Sequence, residues 1–222
     1  MTTFRKHDER IAREDWSEYF NDFFGYTAAD WVINTTEAGS GSATEAISDA
    51  ANGILLITND DADDDADHLQ WAKETFKFVA GKKLMFKMRF KTSNATESDL
   101  VFGLHILDTS PIASAPTDGI YFRKDDGDKL LDFVVAKNST ASTLTGIAAS
   151  LTELANDTWV VVEFYYDGVD SIHAYINGTR VGALPVTNAP DDEELSVSFA
   201  IMNGSAGAKT LSIDYILARQ QR

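Results

Sequence analysis

From Lys83 to Lys91 the chain alternates strictly: Leu84, Phe86, Met88 and Phe90 fall on one side, and Lys83, Lys87, Arg89 and Lys91 on the other. A period of two belongs to a strand with one buried and one wet face, because successive side chains leave a strand in opposite directions. The same alternation returns in Leu195, Val197, Phe199 and Ile201 against Ser196 and Ser198, and in Leu211, Ile213, Tyr215 and Leu217 against Ser212 and Asp214. Further runs at Gly53 to Thr58, Leu100 to Leu107, Gly119 to Arg123, Leu130 to Lys137, Trp159 to Tyr166 and Ser171 to Ile176 are short, apolar and bounded by Gly, Asn, Asp or Ser, as strands joined by turns are. With so few helical stretches, a sheet's apolar face must be covered by another sheet.

The 222 residues fit one large all-β domain, and 44% hydrophobic with 11% aromatic residues suffices for its core. There is no cysteine, so a disulfide framework, a thiolate metal site and a cysteine nucleophile are excluded. A net charge of -16 repels phosphate backbones and anionic lipid, which argues against nucleic-acid and membrane partners and suits cations or a basic protein surface. Residues Met1 to Arg13 are charged throughout, without the apolar core of a secretion signal, which predicts synthesis in a cytosol. The Asn-x-Ser/Thr sequons, from Asn34 to Asn203, then follow from composition.

Residues 1–26 stand apart from the domain expected over 27–222. Trp16, Tyr19, Phe20, Phe23 and Phe24 recur at spacings of three and four, which predicts a short amphipathic helix, with Asp15 and Glu18 as its capping box and Gly25 as its stop. These five aromatics are candidates for docking on a neighbouring molecule; the alternative is a lid over one end of the sandwich. A turn or two of helix is also expected within Ala148 to Asn156, and a bend within Asp67 to Thr75.

Trp159 to Leu184 carries the most specific pattern: an apolar strand, a turn at Asp167-Gly168, a strand through Ile172, Ala174 and Ile176, and an Asn177-Gly178 turn into a return strand through Val181. Asn-Gly supplies the two positive φ angles of a type I′ hairpin. This order, closed later by Asp214-Tyr215-Ile216, resembles the second half of concanavalin A-like and laminin G-like jelly rolls, over residues 30–218. The resemblance implies an all-β, two-sheet antiparallel sandwich with a helical N-terminal arm. In composition the chain also resembles bacteriophage virion proteins on this fold: acidic, free of cysteine, rich in Ala, Thr, Ser and Asp, with an aromatic arm. That likeness implies a non-enzymatic decoration or cement protein on the capsid surface, made in the host cytoplasm, whose partners are the major capsid protein and further copies of itself. A carbohydrate-binding, lectin-like module is the alternative, and a glycan-cleaving enzyme the third reading.

Catalysis finds little support in the strands. The jelly-roll glucanases carry Glu-x-Asp-x-Glu or Glu-x-Asp-x-x-Glu along one strand, and no strand expected here does, so no catalytic residue is assigned. Glu163 stands alone among apolar neighbours, and His7, His68, His105 and His173 are too scattered for a metal centre or a triad. Trp31, Trp71, Tyr121, Tyr165 and Tyr166 are the aromatics a lectin would use. No cofactor is required, but Asn59 to Asp67 packs six carboxylates into nine residues. Asp61, Asp63, Asp65 and Asp67 match the alternate ligands of a calcium loop, although Ala66 replaces its glycine and Ala72 its bidentate glutamate. The expectations are thus an irregular calcium site or a solvated acidic loop.

Overall fold

A computed structural model describes residues 15–147 and 153–222. In chain order the strands are β1 (Trp16–Asn21), β2 (Trp31–Thr36), β3 (Thr44–Ile47), β4 (Leu55–Thr58), β5 (Ala66–Trp71), β6 (Phe76–Lys77), β7 (Leu84–Thr92), β8 (Ser98–His105), β9 (Gly119–Lys124), β10 (Asp132–Lys137), β11 (Thr140–Leu144), β12 (Val160–Tyr166), β13 (Ser171–Ile176), β14 (Thr179–Pro185), β15 (Glu194–Asn203) and β16 (Thr210–Gln221). They form two antiparallel sheets. Sheet A runs β14-β13-β12-β7-β16-β4-β3, with β1 also on β16; sheet B runs β11-β10-β9-β8-β15-β5-β2, with β6 also on β15. The packed antiparallel sheets expected from the alternation, and the all-β jelly-roll sandwich implied by the resemblance, are the observed fold.

The alternating residues of β7 do what their period demands: Leu84, Phe86, Met88 and Phe90 are buried and the intervening positions are not. Across the interface Phe90 meets Phe102 of β8 at 4.6 Å between ring centroids, and Phe133 of β10 meets Phe164 of β12 at 6.0 Å. Each such ring is fully buried, a gain of about 1.5–3 kcal/mol by area. The hairpin between β13 and β14 turns at Asn177 (φ 50°) and Gly178 (φ 78°), the two positive angles a type I′ turn requires.

The N-terminal helix is corrected to a strand. β1 pairs antiparallel with the end of β16, Trp16 opposite Gln221 and Asn21 opposite Ile216. The three-and-four spacing arises from strand alternation followed by a tight reversal. Tyr19 turns inward against Trp71 at 4.9 Å. Trp16 and Phe20 turn outward, Trp16 under the Arg219 guanidinium at 4.9 Å and Phe20 beside Tyr215 at 6.4 Å. Asn21 Oδ1 accepts a 2.8 Å bond from the Phe23 amide, and Phe23, at φ 52°, then drops into the core. Of the five proposed docking aromatics, Trp16, Tyr19 and Phe23 are thus spent on their own sandwich, leaving Phe20 and Phe24 exposed. Residues 1–14, including His7, and residues 148–152 of the second helix expectation lie outside the described residues. The bend expected within Asp67 to Thr75 falls at Ala72 and Lys73, directly after β5.

Candidate functional site

The outer face of sheet B, turned away from the core, gathers the polar chemistry of the molecule. Registers between neighbouring strands place Asn34, His68, Ala200, Val101, Arg123 and Asp132 in one unbroken row across β2, β5, β15, β8, β9 and β10. The next row runs Val32, Gln70, Ser198, Gly103, Tyr121, Val134 and Thr143. Gly103 lets Tyr121 lie against the sheet: a Cβ there would stand 2.5 Å from the Ile120 carbonyl oxygen and 2.8 Å from the Tyr121 Cβ.

Between β8 and β9 the loop 106–118 folds back over this face. Ile112 packs on Val101, Tyr121, Val134 and Ala136, a small apolar cluster separate from the main core. The loop's base is held by Gln70, whose Nε2 donates to the Ile106 carbonyl at 2.9 Å and whose Oε1 accepts from the Asp108 amide at 2.7 Å. The His105 Nδ1–H donates to the same Ile106 carbonyl at 2.7 Å. The loop divides the face into two clefts.

One cleft, of about 170 Å³, is lined by Tyr121, Arg123, Asp125, Asp132 and Thr143 with Ala115 of the loop. Asp132 stands opposite Arg123 in register and accepts a 2.7 Å bond from the Gly146 amide at Oδ1. Its carboxyl is pushed above the usual carboxylate range, first by burial and then by Asp125 and Asp128. Asp125 is ion-paired with the Arg123 guanidinium. One row away, Asp99 is also raised by burial; its Oδ1 accepts from the Asp126 amide at 3.0 Å and its buried Oδ2 has no partner among the described residues. Burial pushes the Tyr121 hydroxyl up to about 12. A carboxyl raised by burial beside a carboxylate paired with a cation is an arrangement that acid–base cleavage can use.

The other cleft, of about 280 Å³, lies over β2, β5 and β15, with His68 in its lining. His68 stacks on His105, centroids 5.7 Å apart. Burial, and for His68 the neighbouring His105, hold both rings neutral, His68 down to about 2 and His105 to about 4.

Sequence reasoning missed Asp99, Arg123, Asp125 and Asp132 because it sought carboxylates alternating along one strand. Here Arg123, Asp125 and Asp132 converge from the end of β9 and the start of β10, a relation that the Arg123–Asp132 register reveals, while Asp99 stands on β8. Glu163 lies on sheet A, ion-paired with Lys87 at 3.1 Å. Of the lectin aromatics, Trp31, Tyr121 and Tyr166 are buried, Trp71 packs against the core and Tyr165 is half-buried on β12 of sheet A, so the five do not gather on one exposed platform.

The four calcium-loop aspartates do not converge. Asp61 and Asp63 point to solvent, and Asp65 is buried with its oxygens accepting from the Ala38 and Ala62 amides at 2.7 and 2.8 Å. Asp67, on β5, turns into the sandwich against Thr35 at 2.8 Å. The oxygens that do come together, within 4.8 Å of one another, belong to Glu37, Asp60 and Asp65. That span lets three carboxylates share one calcium ion, whose oxygen ligands lie at about 2.3–2.6 Å. Glu37 was invisible to a reading confined to the acidic run.

No protein-family model matches the sequence, and no curated protein does. Solved structures match the fold over nearly the whole chain. The endo-1,3-β-glucanase of Streptomyces sioyaensis superposes with a TM-score of 0.64 at 15% identity, covering 94% of this chain and 97% of that one. The endo-β-1,4-glucuronan lyase of the fungus Trichoderma reesei does so at 0.55 and 11% identity, covering 92% and 95%. The carbohydrate recognition domain of Emp46p, in its potassium-bound form, gives 0.59 at 8% identity, covering 89% and 94%. The expectation of a non-enzymatic capsid-decorating protein is corrected on this ground. It rested on fold and composition, and the fold is shared with proteins that cleave or recognise glycans. At these identities the likeness establishes the concanavalin A-like jelly roll.

Proposed function

We propose that the chain cleaves a polysaccharide on the outer face of sheet B, with Asp132 as proton donor and Asp125 as its carboxylate partner. The observation that carries this is the cleft in which a carboxyl raised by burial lies beside a carboxylate paired with Arg123. In hydrolysis the acid gives its proton to the glycosidic oxygen as the C–O bond breaks. The carboxylate stabilises the positive charge that develops on the sugar ring, and water adds there as the new hydroxyl while its proton returns to Asp132. Arg123 orients the Asp125 carboxylate through a charge-assisted bond. The glucanase and the lyase that share the fold support a glycan substrate by analogy, although this chain lacks the single-strand carboxylate run of jelly-roll glucanases.

The test is a panel of neutral and uronic polysaccharides, assayed for new reducing ends and for the ultraviolet absorbance of unsaturated uronate ends. Release of reducing ends without unsaturation is expected. Unsaturated products would replace hydrolysis with elimination, and no product from any polymer would remove the proposal.

A further inference from the structure

The larger cleft takes no part in the chemistry given to Asp125 and Asp132, yet it is built around an unspent group. His68 is only 3% exposed, and neither ring nitrogen has a hydrogen-bonding partner among the described residues, although the ring lines the cleft. A neutral imidazole offers one N–H donor and one acceptor nitrogen at different edges of the ring. Asn34, Thr36, Thr109 and Ser110 add amide and hydroxyl groups around it, and Met202 and Ile112 supply apolar walls.

The lining also says what is not welcome. It contains no lysine or arginine, and it does contain Asp64, so an anionic ligand would meet a carboxylate and no counter-charge. A ligand with paired hydroxyls, each able to donate and to accept, and with C–H faces for the apolar walls, satisfies every group present. A neutral sugar ring is such a ligand. The cleft also shares the row Asn34, His68, Ala200, Val101, Arg123, Asp132 with the proposed catalytic cleft, beyond the wall made by the loop 106–118.

We propose that this cleft is a second carbohydrate subsite that takes one neutral pyranose unit, its hydroxyl groups bonded to His68. The inference rests on the glycan-cleaving reading for the polymer to which that unit belongs; the binding event itself does not require cleavage. It makes the preferred substrate a neutral glycan rather than a uronan.

The full chain, with histidine labelled with nitrogen-15, is titrated with a neutral gluco-oligosaccharide, with a glucuronic-acid oligosaccharide and with zinc chloride. The expected result is a saturable shift of the His68 ring nitrogens with the neutral sugar alone. His68→Leu, and Asn34→Ala in which the ring remains, should each weaken binding at least tenfold, while Asp132→Asn should leave it intact. A His68 response in a protein that cleaves nothing would sustain the subsite and sink the catalytic reading. Cleavage of a polymer with a silent His68 would do the reverse. Equal binding of the uronic oligosaccharide, or a response to zinc and not to sugar, would overturn the subsite.

Discussion

The rings of His68 and His105 stack across the outer face of sheet B with 5.7 Å between centroids and 29° between planes, and neither ring can take a proton cheaply. Both are buried, and a charge on one repels a charge on the other. In the unfolded chain each protonates near 6.5, whereas the folded protein holds His68 at about 2 and His105 at about 4. The unfolded state therefore binds more protons below pH 6.5. The stability from these neutral rings is fully present above that pH and is lost as pH falls toward the folded values. The loss should be about 2 kcal/mol for each histidine by about pH 5. Denaturant melts of wild type and of His68→Gln at both ends of that range test this. The variant should lose about half the histidine-dependent slope, and an identical slope would contradict the account.

Asp67 predicts the opposite sign. Burial, with Glu45 beside it, holds its carboxyl up to about 8 against an ordinary value of 3.8. The folded state then keeps a proton that the unfolded chain gives up. This contribution is complete below about pH 4 and is lost as pH rises through about 8. Asp67→Asn should flatten the decline of melting temperature between about pH 4 and about pH 8 and leave the variant more stable than wild type above pH 8, by a few kcal/mol in order of magnitude. A variant no more stable there would mean that the charge is compensated, as a bound cation would compensate it.

Phe23 and Phe24 separate the observed strand-and-turn from the expected helix. Phe23 is fully buried and Phe24 is 75% exposed. Phe23→Ala should cost about 3–5 kcal/mol of unfolding free energy, and Phe24→Ala no more than about 0.5 kcal/mol. Comparable losses at the two positions would contradict the placement.

These elements show where the sequence was legible. Strands with one buried face announce themselves by period two, so β7, β15 and β16 and the Asn177-Gly178 hairpin could be read directly. β1 could not, because Phe23 at φ 52° breaks the alternation and leaves aromatics at helical spacing. The site was harder still. Asp125, just past the end of β9, and Asp132, at the start of β10, flank the turn at Gly127, and Glu37 meets Asp60 and Asp65 only through the fold. Chemistry made between strands depends on register, and register is a tertiary quantity.

The central claim is that Asp132 and Asp125 cleave a glycan. The most direct measurement is the rate of reducing-end release from the best polymer of a panel by wild type, Asp132→Asn and Asp125→Asn, with melting temperatures taken alongside. General acid–base catalysis contributes about 10²–10⁴-fold, so each variant should lose at least a hundredfold in kcat while melting within a few degrees of wild type. Variants that fold and cleave as fast as wild type would contradict the account.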